Sequence, residues 1–192
     1  MIDPLYFFVF AGLFSPGPNV ILLSVSGAVY GFRRTIPHIL GVAVGVGITA
    51  GLTGLGIAAL LAELPVLELV LKLIAAGWIL YMAVRLFMAN RPEEREARRP
   101  FRFHEAVLFQ WVNPKVWAVA LAAASGYASG QGPVGEGLRL AMAFAGINFF
   151  VCMFWTWAGQ LLSYLLKTPV AWKLFLRVMA VALATSAGMI FL

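Results

Sequence analysis

Two short stretches of this chain place polar groups where everything around them is apolar. In "FSPGPNVILL", residues 14–23, Ser15, Pro16, Gly17, Pro18 and Asn19 interrupt a greasy run; in "LFQWVNPKVW", residues 108–117, Asn113, Pro114 and Lys115 do the same. Proline lacks an amide donor and clashes with the preceding turn, so the first helix is predicted to stop near Phe14 and restart at about Pro18. A restarted helix presents free N–H groups and the positive end of its dipole to whatever fills the gap. In a membrane interior that is a site for a carboxylate. Asn19 adds an amide that donates and accepts, and Ser15 is the expected cap of the new helix start. In the second stretch Asn113 and Lys115 take the matching parts, with the Lys115 ammonium as direct partner for an anion. The plainer reading of either stretch is a proline kink whose polar neighbours satisfy the freed carbonyls.

The elements that carry these stretches are membrane spans. Of 192 residues 62% are hydrophobic and 11% charged, and the mean hydropathy is +0.91. No charged side chain occurs between Asp3 and Arg33, between Arg34 and Glu63, or between Arg139 and Lys167. Each window exceeds the roughly 20 residues that cross about 30 Å of hydrocarbon as helix. Further spans are predicted at 66–88, 105–128 and 173–192, whose charges, Lys115 excepted, lie close enough to an end to snorkel. Pro114 lies 96 residues after Pro18, half the chain length. Each half then holds three spans, an odd number, so the second half enters the membrane from the opposite face. The predicted fold is therefore an all-α integral membrane protein: six transmembrane helices as two inverted three-helix repeats, with helices one and four broken. Repeat one covers 1–89, a basic loop 90–104, and repeat two 105–192, all within one transport domain over 1–192. Counting about 1.5 Å per helical residue, both breaks fall inside the hydrocarbon layer, where unpaired backbone is costly unless buried or lining a cavity.

Alternating the connections puts Arg33, Arg34, Arg85, Arg91, Arg95, Arg98, Arg99, Arg102, Lys167, Lys173 and Arg177 on one side, against Lys72 and Arg139 on the other. The positive-inside bias makes the first side cytoplasmic and leaves both termini outside. The net charge of +6 is thus a topology signal. Glu residues interleaved in the Arg91–Arg102 cluster argue against nucleic acid as a partner. The chain opens "MIDPLYFFVF" without a basic stretch, and its first segment is expected to be retained.

The single Cys152 excludes an internal disulfide and a cysteine-based metal site. Metal export would need clustered His, Cys or carboxylate ligands within the membrane, which the pattern does not supply. An intramembrane enzyme would need a nucleophile facing a base, and Ser15, Ser24 and Ser26 have no such partner in sequence. No Gly-rich Lys-Ser/Thr phosphate loop occurs, and no cofactor is called for. These counts leave a gradient-driven transporter ahead of a divalent-metal exporter and a non-transporting structural subunit.

Asn148, Cys152, Trp155, Thr156 and Gly159 fall near one face of the fifth span, which is expected to point inward, with Asn148 either packed or lining the pathway. Gly27, Gly31, Gly41, Gly45, Gly47, Gly51, Gly54 and Gly56 suit close helix approach, within the chain or across a homodimer face. His38 and His104 lie toward the cytoplasmic side and are expected to be solvated.

The stretch from "FSPGPNVILLSVSGAVYGFRRTIPHILGVAVGVG" resembles the N-terminal signature of the LysE/RhtB amino-acid exporters, and "FQWVNPKVWAVAL" resembles their second signature. The resemblance covers essentially the whole chain, and Pro16, Gly17, Pro18, Asn113, Pro114, Lys115, Gly31, Gly41 and Gly45 match its motifs. It implies export of amino acids or similar small carboxylate metabolites across a bacterial inner membrane. Ala75 and Trp78 depart from the family's third helix, and Val46 stands where some relatives carry an acid. That last departure argues against a lysine or arginine exporter.

Overall fold

A computed structural model describes residues 3–57, 65–89 and 99–188, and among them there is no strand. Helix α1 spans Pro4–Phe14, started by the Asp3 side chain, which accepts from the Leu5 amide at 3.0 Å. It ends where proline chemistry requires, and α2 resumes over Pro18–Tyr30, bent 61° from α1. Gly31, at φ 78°, sits in the left-handed region that favours glycine and turns the chain into α3, Phe32–Gly54. Helix α4 covers Pro65–Phe87. Helix α5, Phe103–Phe109, tightens into a 3₁₀ turn over Gln110–Val112 before α6 restarts at Pro114 and runs to Gly126. The bend at this second break is 67°. Helices α7, Gly132–Ser163, and α8, Pro169–Gly188, complete the described chain.

By length and composition α3, α7 and α8 can each cross a membrane, and counting each bent pair as one span brings the number to five. Two boundaries differ from expectation. Helix α7 begins at Gly132, ahead of the uncharged window, because Pro133 suits its first turn and Arg139 is neutralised in place. Arg139 pairs with Asp3 at 2.5 Å and donates to the Tyr127 carbonyl at 2.6 Å. Helix α8 likewise starts at Pro169 rather than 173.

The helices pack through missing side chains. A methyl group on Gly27 of α2 would lie 2.0 Å from the Thr156 carbonyl oxygen of α7, and one on Gly159 of α7 would lie 2.0 Å from the Ser24 carbonyl oxygen. Gly41 and Gly45 of α3 admit the backbones of Phe103 and Val107 in α5, while Gly47 and Gly54 admit α7. Helices α3 and α7 pack along each other at the centre, and α4 and α8 form a separate pair around Ile79, Ala83, Leu183 and Ala187. His38 corrects its expectation: it is 1% exposed, turned inward from α3, with Nδ1 3.3 Å from the Ser26 Oγ.

Two stability tests follow from this packing. Gly27→Ala and Gly159→Ala should each destabilise by about 1–3 kcal/mol, because backbone atoms must move apart. Gly77→Ala, with nothing within 4 Å of its added methyl, should not lower the thermal midpoint in detergent. Equal midpoints for all three variants would contradict the close-packing account.

The hydrogen bond from Arg139, helped by the Leu5 amide, holds the Asp3 carboxyl below its ordinary value of 3.8. The fold thus favours the ionised form, so this contribution is full above the ordinary value and is lost as pH falls through the lowered one. Thermal midpoints taken from about pH 5 to about pH 3 should fall more steeply for the wild type than for Asp3→Asn. Parallel curves would remove Asp3 from the acid response.

Candidate functional site

The two breaks meet. Gly17, Asn19, Asn113, Lys115 and Asn148 line one internal cavity together with Trp155. Its floor is apolar, from Leu13, Val20, Leu23, Val116 and Val151. Pro18 and Pro114 begin the restarted helices and set their direction, and Ser15 and Pro16 lie exposed at the outer edge. Neither α2 nor α6 has a side-chain cap at its start. Both helix openings therefore present uncapped first turns toward the cavity.

Ser15 does not cap α2, as the sequence had led us to expect. Its hydroxyl donates back to the Gly12 carbonyl at 2.9 Å and accepts from the Lys115 Nζ at 2.8 Å. The reason is a competitor: Lys115 also donates to the Ser15 carbonyl and, at 3.2 Å, to the Pro16 carbonyl. These carbonyls lie in the non-helical link between α1 and α2. Gly17 makes this reach possible, since a methyl there would lie 2.7 Å from the lysine Cδ. Its backbone is fully extended at φ 179°, so space rather than backbone strain is what glycine supplies.

The amides are shared across the breaks. Asn19 Nδ2 donates to Gln110 Oε1 at 2.8 Å, and Gln110 Nε2 returns a bond to Asn19 Oδ1 at 3.2 Å. Gln110 also donates to the Ala106 carbonyl at 2.9 Å and accepts a longer bond from Asn113 at 3.4 Å. It is wholly buried, and sequence reasoning passed over it although a lone amide in a greasy stretch was signal enough.

Three polar atoms at the cavity are left without partners: the Asn113 Oδ1, the Asn148 Nδ2 and the Trp155 Nε1. Asn113 and Asn148 are 1% and 2% exposed. Buried polar groups are nearly always paired, so this set asks for a ligand or water. The space is about 10 Å³ to the centre of a water molecule, which is room for roughly one water. In this conformation the site is closed to anything larger.

Over residues 10–191 the sequence matches the family described as LysE type translocator. The chain belongs to that family. It is also 28% identical over 151 residues to cysteine/O-acetylserine efflux proteins of Salmonella paratyphi A and Salmonella typhi, covering 77% of this chain and 76% of each relative. The corresponding protein of Salmonella typhimurium matches at the same identity and coverage. No solved structure matches the chain. In this LysE type translocator, both proline breaks lie within the matched residues.

The Asn19–Gln110 pair gives a direct test of the join between the breaks. A double-mutant cycle of Asn19→Ala and Gln110→Ala in detergent should return a coupling of about 0.5–2 kcal/mol. Additive single effects would show that the breaks are not held together through this pair.

Proposed function

We propose that this translocator exports small neutral amino acids or closely related carboxylate metabolites from the cytoplasm, driven by an ion, proton or substrate gradient. The observation that carries the reading is the cavity between the breaks. Its unpartnered groups form the complement of a zwitterion: donors on Asn148 and Trp155 and the uncapped helix starts for a carboxylate, and the Asn113 Oδ1 acceptor for an ammonium. Ser15, Pro16, Gly17, Pro18, Asn19, Asn113, Pro114, Lys115 and Asn148 together make the site, the prolines by breaking the helices and the rest by contact. The substrate named for the Salmonella relatives, cysteine or O-acetylserine, has this chemistry.

Lys115 gives the site a way to respond. Its Nζ is held by the Ser15 and Pro16 carbonyls in this closed conformation, and a substrate carboxylate is a stronger partner for it than a neutral carbonyl. Binding would then release the end of α1 and let the broken helices move. Alternating access follows if one half rocks against the other around the breaks.

The proposed architecture is six spans in two inverted repeats, with α4 completing the set, over 1–89 and 105–192 with the loop 90–104 between. Its support is reciprocal packing: α3 lies against α5, and α7 lies against α2, so each half's second span holds the other half's broken helix. The excess of basic residues on one side supports a cytoplasmic loop in a bacterial cell and both termini outside the inner membrane. Residues 90–98, the first part of that loop, lie outside the described chain.

The test is efflux of preloaded cysteine and O-acetyl-L-serine from cells expressing the wild type, Lys115→Ala or Asn148→Ala. The wild type should accelerate efflux. Lys115→Ala should lose most of the gain, and Asn148→Ala should lower the rate about tenfold, the worth of one hydrogen bond in a closed site. Efflux no faster than in empty cells, with wild-type protein present in the membrane, would reject export of this class.

A further inference from the structure

Helix α2 separates two cavities. Asn19, Val20 and Leu23 line the closed one at the breaks, whereas Leu22, Val25 and Ser26 line a second between α2, α3, α4 and residues 99–101. The second is far larger, about 270 Å³ to the centre of a water molecule. It sits at the basic end of the molecule, where Arg85 and Arg99 form part of its wall.

Its polar groups are not all spoken for. Arg99 is committed, with both guanidinium nitrogens 2.6 Å from the Glu105 carboxylate. Arg85 donates to the neutral Tyr81 hydroxyl at 2.7 Å and lies 5.6 Å over the same ring, with no carboxylate partner among the described residues. His38, buried in the same wall, spends Nδ1 on Ser26 and leaves Nε2 without a partner. Trp78 and Tyr81 supply aromatic faces beside these groups. A guanidinium with no carboxylate partner among the described residues, an unpaired imidazole nitrogen and an aromatic wall are the complement of a small zwitterion: carboxylate on Arg85, ammonium against the Trp78 ring.

We propose that this cavity is the loading site at which the exported amino acid first docks from the cytoplasm. The inference rests on the export reading, and it supplies what the closed cavity lacks, which is room for the substrate. Because α2 is the wall of both cavities, a ligand held on one face of it is placed to shift the helix that closes the other. An anionic phospholipid headgroup is the competing occupant, since Trp78 and Tyr81 are each about half exposed.

Cys152 is the chain's one cysteine and is buried, so Met82→Cys places an accessible thiol in the cavity wall. The variant, in inverted membrane vesicles, is labelled with an impermeant maleimide with and without O-acetyl-L-serine, and its efflux is measured in parallel. Labelling should be slowed at least tenfold by the amino acid, and Arg85→Gln in the same background should abolish that protection. Efflux without protection overturns the loading site and leaves the export reading standing. Protection without efflux leaves an amino-acid site in this cavity but rejects export and, with it, the loading role; absence of both rejects both. A thiol that never labels shows that the cavity does not open to the cytoplasm, which also overturns the proposal. So does protection that depends on phosphatidylglycerol instead of phosphatidylcholine in reconstituted vesicles, since a lipid then holds the site.

Discussion

Backbone carbonyls released by a broken helix cannot be left bare in hydrocarbon, and much of this molecule's centre is arranged around that requirement. Pro16 and Pro18 end α1 and leave the Ser15 and Pro16 carbonyls without helical amides. Water is the usual partner for such groups and is scarce within hydrocarbon. The chain instead brings Lys115 from the other break, and one nitrogen serves both carbonyls and the Ser15 hydroxyl. Removing the lysine would therefore cost more than a charge. It would expose the very backbone groups whose satisfaction lets the first break exist.

That single long side chain reaches only if the two broken helices are held in register, and the glycines do this. Gly27 and Gly159 face each other's helix so closely that α2 and α7 touch backbone to backbone. In lipid there is little hydrophobic gain from pressing apolar helices together, so close van der Waals approach has to supply the association. The same contact carries Asn148, Trp155 and Cys152 of α7 to the cavity wall opposite Asn19 of α2. Packing and site are thus one arrangement: the small residues that make α2 and α7 adhere also fix the distance across which polar groups meet.

The breaks were legible because proline acts on its own neighbours; the ends at Phe14 and Pro18 follow from local sterics alone. The face of α7 that points inward was legible too, from the spacing of Asn148, Cys152, Thr156 and Gly159. What escaped the sequence needed a partner distant along the chain. Ser15 looked like a cap because caps are local, and its hydroxyl was claimed by a lysine 100 residues away. His38 looked solvated because it stands near a span's end, but rotation about the helix axis, set by Gly41 and Gly45 docking on α5, turns it toward Ser26. Gln110 was missed for a similar reason: its meaning lies in Asn19, on the other broken helix.

The position of α2 ties these strands together. Its start is uncapped at the closed cavity, its middle is bound to α7 through Gly27, and its far side carries Ser26 against His38. A helix held at its first turn only by side-chain hydrogen bonds and packed backbone to backbone at its middle can pivot more readily than it can slide, because sliding would drive side chains into the Gly27 contact. Turning α2 about that contact to widen the space around Asn148 would strain the Asn19–Gln110 bonds, which hold its first turn to the second break. The polar pair and the lysine latch therefore resist the same displacement from two directions. On the proposed export reading, an opening ligand has to offset both, and a carboxylate engaging Lys115 while an amide or ammonium engages the asparagines would do so at once.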